Sequence, residues 1–123
     1  MKTIERGNAA EKLACKYLTD HGLKLIVANY HSRFGEIDLI MRDKSVLVFI
    51  EVRYRQSKQF GGAASSVTPA KQRKISLTAM QFLQKNHKSN EMCRFDVVAL
   101  GNTGMGGTEI EWIKSAFDAT GVA

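Results

Sequence analysis

Gly35-Glu36-Ile37-Asp38-Leu39-Ile40-Met41, the polar break Arg42-Asp43-Lys44-Ser45, and Val48-Phe49-Ile50-Glu51-Val52-Arg53 decide the fold. Two apolar runs joined by a tight polar turn read as one antiparallel hairpin. Pairing Met41 with Val46 sets Asp38 opposite Phe49 and Glu36 opposite Glu51; a register shifted by two residues sets Asp38 opposite Glu51 instead. Strand side chains alternate, so Glu36, Asp38 and Ile40 share a face with Phe49, Glu51, Arg53 and Arg55. Ile37, Leu39, Met41, Val48, Ile50, Val52 and Tyr54 form the opposite face, which reads as core. Three acids on one face repel each other and call for a cation or for basic partners. Mg²⁺ is one answer, because it takes oxygen ligands from one or two carboxylates and completes its shell with water and phosphate. The other is a solvated face on which Arg53 and Arg55 pair with Glu36 and Glu51, each pair contributing about 0–1 kcal/mol.

Outward from the hairpin, residues 5–21 predict a helix, with Ala10, Leu13, Ala14, Tyr17 and Leu18 at helical spacing and Gly22 as the stop. Glu11 lies at the margin of that stripe, from which it either meets solvent or leans toward a neighbouring site. Residues 23–30 predict the first strand. Residues 56–67 have no clear period and contain Gly61-Gly62, which predicts a mobile loop. Thr68 is an expected N-cap with Pro69 at the first helical position. The second helix is expected to run to about Asn86, burying Ile75, Ala79, Phe82 and Leu83. Gln72 projects on the apolar side one turn in, an unusual place for an amide. Lys71, Arg73 and Lys74 crowd the same helix start, where free N–H groups and the helix dipole favour an anion such as phosphate. The plainer reading is an exposed first turn.

Residues 93–100 predict a fourth strand, interrupted by Asp96 in a structural hydrogen-bonding role. After the Gly-containing connection 101–107, a short last strand is expected over Glu109–Ile113, with Trp112 as an anchor and a weakly ordered tail from about Ser115. A single α/β domain follows, with a mixed central sheet of about five strands flanked by two main helices.

The chain has 123 residues, of which 44% are hydrophobic, enough for one core. No apolar run reaches the roughly 18 residues of a membrane span, and the N-terminus lacks a secretory pattern, so a cytoplasmic location is expected. Cys15 and Cys93 are isolated and read as buried, reduced thiols; with His21, His31 and His87 also scattered, no zinc spacing emerges. Eighteen Lys and Arg against 12 Asp and Glu give a net charge of +6, which permits a polyanionic partner. Arg53, Arg55 and Lys58 after the hairpin, and Lys71, Arg73 and Lys74 on the next helix, gather that charge near the acids.

Taken together, Gly35-Glu36-Ile37-Asp38-Leu39-Ile40, Phe49-Ile50-Glu51-Val52-Arg53-Tyr54-Arg55, Phe60-Gly61-Gly62, Val67-Thr68-Pro69-Ala70-Lys71-Gln72 and Arg94-Phe95-Asp96-Val97-Val98, with Glu11 upstream, resemble the YraN family over nearly the whole chain. That resemblance implies a restriction-endonuclease-like fold similar to archaeal Holliday junction resolvases. It makes Asp38 and Glu51 the two acids of the nuclease signature and places Arg53 where such nucleases carry Lys. Glu11 then corresponds to the helix-one acid, and Gln72 or Lys71 to a polar residue from the second helix. The implied cofactor is Mg²⁺ or Mn²⁺, held by Asp38, Glu51 and the Val52 carbonyl, and the implied partner is DNA, contacted by Arg55, Lys58, Lys71, Arg73 and Lys74. A homodimer is expected by analogy with the resolvases.

Arg keeps its proton up to a pKa above about 12, so Arg53 can orient water or steady phosphate charge but cannot serve as a base. Three readings follow. The first is a Mg²⁺-dependent endonuclease on structured or branched DNA, with Asp38, Glu51, Arg53, Glu11 and Gln72 as candidate catalytic groups. The second is a nucleic-acid-binding protein that keeps the fold without the chemistry; the third is a protein-interaction scaffold, supported only by the versatility of such folds.

Overall fold

The computed structural model describes residues 2–55, 67–88, 90–103 and 105–119, with side chains from residue 9 onward and that of Arg55 excepted. The expected loop over 56–66, and Lys58 within it, lie outside the described residues. Helix α1 spans Lys2–Asp20 and helix α2 spans Pro69–Lys85; the strands are β1 (Lys24–Ser32), β2 (Gly35–Asp43), β3 (Val46–Arg55), β4 (Cys93–Asn102) and β5 (Thr108–Phe117). They form one five-stranded sheet in the order β1-β2-β3-β4-β5. Neighbours are antiparallel except β3 and β4, which run parallel. A parallel pair cannot be joined by a hairpin. The chain between β3 and β4 therefore crosses over, and α2 is the helix of that crossover.

The terminators act as their chemistry requires. Gly22, with φ of 99°, takes the left-handed conformation that ends α1. Thr68 caps α2, its hydroxyl accepting the Lys71 N–H at 3.2 Å, with Pro69 at the start. Lys44, with φ of 58°, turns the β2–β3 hairpin.

Each face of the sheet is covered by a helix. Ala10, Ala14 and Leu18 of α1 pack with Leu39, Met41, Val48, Ile50, Val98 and Leu100. On the other side, Ile75, Ala79 and Phe82 of α2 pack with Ile37, Ile40, Leu47, Phe49, Phe95 and Val97. The face on which the acids were expected, with Ile40 and Phe49 among them, is thus also core in its middle. Phe49 is 1% exposed, a burial that contributes on the order of 2 kcal/mol. Glu51 lies mid-strand in β3 and is itself buried, with Asp38 beside it.

Two details differ from the sequence reading. β5 continues through Ser115 to Phe117, because Phe117 stacks on Phe95 at 5.1 Å and the Ser115 N–H is held by Asp96 at 2.9 Å. Both contacts join residues far apart in sequence, so local propensity could not reveal them. Cys93 is exposed and Cys15 half-buried, both free, rather than two buried thiols. Asp96 does have the expected structural role: fully buried, it accepts from Arg94 Nε at 3.0 Å, Trp112 Nε1 at 2.9 Å and Ser115 N. Among the described residues no helix is long and apolar enough to cross a membrane.

Candidate active site

The β2–β3 hairpin pairs Asp43 with Val46, Met41 with Val48 and Leu39 with Ile50. That is the shifted register of the two, and continuing it by one residue brings Asp38 across from Glu51. The register with Met41 opposite Val46 is not formed, because a turn closing on Asp43 and Val46 leaves Met41 and Val48 as partners in the α1-side core. The backbone ladder stops at Leu39 and Ile50. Beyond it the Asp38 side chain takes over, Oδ2 accepting the Val52 N–H at 2.8 Å. A carboxylate thus satisfies an amide that the ladder abandons.

Asp38 and Glu51 come within hydrogen-bonding reach of each other. Burial, and next the charge of Glu51, push the Asp38 carboxyl up to about 8, against a smaller opposing pull from the Val52 N–H. At neutral pH the Asp38 carboxyl is therefore set to keep its proton. Glu51 is only 6% exposed. Its Oε2 faces two cations, Arg53 Nη1 at 3.4 Å and Lys71 Nζ at 3.5 Å. Both contacts are longer than the about 2.7–2.9 Å of a tight charge-assisted pair, although Arg53 still donates a hydrogen bond to the carboxylate.

Glu11 approaches from α1. Half-buried, it is raised in pKa first by desolvation and then by the negative charges of Glu36 and Glu51, while the Asn29 side chain hydrogen-bonds it and opposes the rise. Glu36 sits at the exposed rim, paired with His31 Nδ1 at 3.3 Å. The structure therefore brings Glu11, Asp38, Glu51, Arg53 and Lys71 together. It does not bring Gln72: that amide turns back to donate to the Val67 carbonyl at 2.9 Å, at the entry to α2. Of the two residues considered for the second-helix position, Lys71 is the one that reaches the acids. Val52 engages Asp38 through its N–H. Arg73 and Lys74 lie exposed on the first turn of α2, and the Arg55 side chain lies outside the described residues.

The donor set suits a hard divalent cation. It offers two adjacent carboxyl groups that disfavour joint ionisation, with Glu11 near them and cations already drawn to Glu51. Among the described residues no three His, Cys, Asp or Glu side chains form a ready-made cage. A site of two carboxylates completed by water and phosphate is the Mg²⁺ pattern rather than the all-protein one.

Two features escaped the sequence reading. Asn29 joins the site, its only signal being a strand-averse residue directly after the apolar run Leu25-Ile26-Val27-Ala28. The Lys71–Glu51 ion pair depends on how α2 docks, which no local pattern encodes.

Fold and site define an α/β protein whose mixed sheet carries a paired-carboxylate cluster next to a basic helix start. The chain belongs to the Uncharacterised protein family UPF0102, the YraN family, whose profile matches residues 10–100. A UPF0102 protein of Nitrosococcus oceani is 49% identical over 114 residues, covering 92% of this chain and 91% of that one. One from Enterobacter sp. strain 638 is 52% identical over 115 residues, covering 92% and 84%. A third, from Saccharophagus degradans, is 50% identical over 117 residues, covering 94% and 95%.

Proposed function

We propose that this protein is a divalent-metal-dependent endonuclease that hydrolyses phosphodiesters in structured or branched DNA. The observation that carries the reading is the meeting of Asp38 and Glu51 where the β2–β3 ladder ends, beside Lys71. The resemblance to resolvase-like nucleases supplies the substrate class, and the net charge of +6 suits it. Asp38 and Glu51, with the Val52 carbonyl, would hold Mg²⁺ or Mn²⁺. When bound, such an ion neutralises phosphoryl charge and lowers the pKa of bound water. Glu11 adds a third carboxylate at the margin, suited to orienting water. Arg53 and Lys71, drawn to Glu51 but not closed on it, are placed to swing onto phosphate oxygens, and Arg53 does so as a fixed cation rather than a base. Arg73 and Lys74 extend the positive surface along the bound strand.

The test is cleavage of labelled four-way junction, flap and single-stranded DNA by the purified chain in Mg²⁺ or Mn²⁺, with Asp38→Asn and Glu51→Gln alongside. Metal-dependent cleavage lost in both variants supports the reading; intact substrates with the wild-type protein in either metal sink it.

One observation favours a second reading, binding without cleavage: Arg replaces the titratable Lys at position 53 and lies against Glu51. Salt-sensitive DNA binding that survives Asp38→Asn, with no cleavage by either protein, would select it.

A further inference from the structure

Around the row that contains Asp38, side-chain alternation is irregular on both the edge strand β1 and its neighbour β2. β1 pairs Val27 with Ile40, Ala28 with Leu39 and Tyr30 with Ile37, which puts Asn29 directly across from Asp38. Regular alternation would send residues 27 and 30 to opposite faces. Val27 and Tyr30 nevertheless both pack on the α2 side, and so do their partners Ile40 and Ile37. The pairing register itself shifts earlier, between Leu25 and Val27, and here it is the side-chain alternation that slips. The backbone cause is visible at Asn29, whose φ of 56° lies in the left-handed region. Few non-glycine residues take it, and Asn is among those that tolerate it best.

The slip turns Asn29 toward α1. Ala28, Asn29 and Leu39 line a cavity of about 350 Å³ together with Glu11 and Cys15. Asn29 and Glu11 thus line the same cavity, and the Asn29 amide opposes the rise in the Glu11 pKa. An ordinary extended residue at position 29 would not be directed there.

The geometry points to Asn29 as a positioning residue: its left-handed backbone turns the side-chain amide toward Glu11 and holds that carboxylate at the margin of the Asp38–Glu51 pair. This rests on the metal-site reading above and extends it to a residue that touches no substrate. Asn29 fixes the one acid that comes from a helix, whose side chain has more rotamers to lose than a strand acid pinned by its neighbours. Partners of this kind commonly change metal affinity by about 10- to 100-fold.

The experiment uses the full chain as wild type, Asn29→Gly, Glu11→Ala and the double variant. Glycine keeps the left-handed backbone and deletes only the amide. Chemical unfolding without metal at neutral pH gives a double-mutant cycle; we expect a coupling of about three- to tenfold in the folding constant between positions 29 and 11. Calorimetric titration with Mn²⁺ alone should show about tenfold weaker binding for Asn29→Gly and for Glu11→Ala, and no further loss in the double variant. Additive unfolding effects, or Asn29→Gly binding Mn²⁺ as tightly as a wild type that binds it, overturn the inference. A wild type that binds no Mn²⁺ while the metal-free coupling persists removes the metal reading and leaves the hold of Asn29 on Glu11 supported.

Discussion

Replacing Asp38 by Asn should stabilise the metal-free protein at neutral and alkaline pH while abolishing its response to divalent cations. Asn keeps a side-chain oxygen to accept the Val52 N–H, which Asp38 accepts at 2.8 Å, and resembles the protonated acid in shape. The sign follows from the raised pKa, about 8 against 3.8 for the free group. The folded state holds its proton where the unfolded chain has lost it, so stability is full below about pH 4, declines as pH rises, and levels off above about pH 8. One proton sets a ceiling of about 1.4 kcal/mol per pH unit on that slope. Between about pH 5 and pH 7 the ceiling is about 2.7 kcal/mol; relaxation of the coupled Glu51 brings the expected loss to about 1–2 kcal/mol. At about 4 °C per kcal/mol, the wild type should lose roughly 4–8 °C in Tm relative to Asp38→Asn over that interval.

Differential scanning calorimetry of both proteins from about pH 5 to pH 8 measures it. Glu11 is raised in the same sense and Glu91 lowered, but both occur in both proteins and cancel to first order in the difference. Adding Mg²⁺ at ten times its Kd should then raise the wild-type stability by about 1.4 kcal/mol and leave the variant unmoved. Parallel Tm curves for the two proteins, within about 1 °C across the range, would show that Asp38 ionises without strain and would refute the electrostatic account of the pair.

Alanine at Lys71, Arg73 and Lys74 together should weaken DNA binding about tenfold and lower the slope of log affinity against log salt by about 2, read by fluorescence anisotropy; an unchanged slope would remove α2 from the binding surface. Asp96→Ala strips a fully buried acceptor from Arg94, Trp112 and Ser115 and should cost about 3–5 kcal/mol in urea unfolding, with a loss under about 1 kcal/mol contradicting the network. Thr68→Ala removes the cap of α2 and should cost about 1 kcal/mol, seen as a lower urea midpoint with an unchanged m-value.

What could be read from the sequence was local. The Gly22 stop, the Thr68-Pro69 start of α2 and the stripe Ile75, Ala79, Phe82 each follow from backbone chemistry or periodicity within a few residues, and the structure contains them all. Asp38 and Glu51 were legible as a pair because a hairpin forces its strands together. Their register was not, since the two choices differ only in whether Asp43 or Met41 meets Val46, and the α1-side core decides between them. Gln72 was misleading for a physical reason: an amide on the apolar side one turn into a helix can serve a distant site or the nearest bare carbonyl, and Val67 supplies the carbonyl. Asn29 was invisible because its backbone conformation is set by the register of β1 on β2 rather than by its own neighbours.

This sheet shifts register between Leu25 and Val27 and between Phe95 and Val97, and it is irregular again beside the acids. Left-handed φ at Asn29, the broken alternation of Val27 and Tyr30, and the end of the β2–β3 ladder at Leu39 and Ile50 fall in neighbouring rows. Each forfeits regular pairing or sets like charges close, which a sheet selected for stability alone would avoid. Carboxyl groups from α1, β2 and β3 come near one another there, and Arg53 and Lys71 lie against Glu51 at 3.4 and 3.5 Å. A tight salt cluster would shorten those contacts, and their length suits the proposed exchange of these cations for a metal ion and a phosphate.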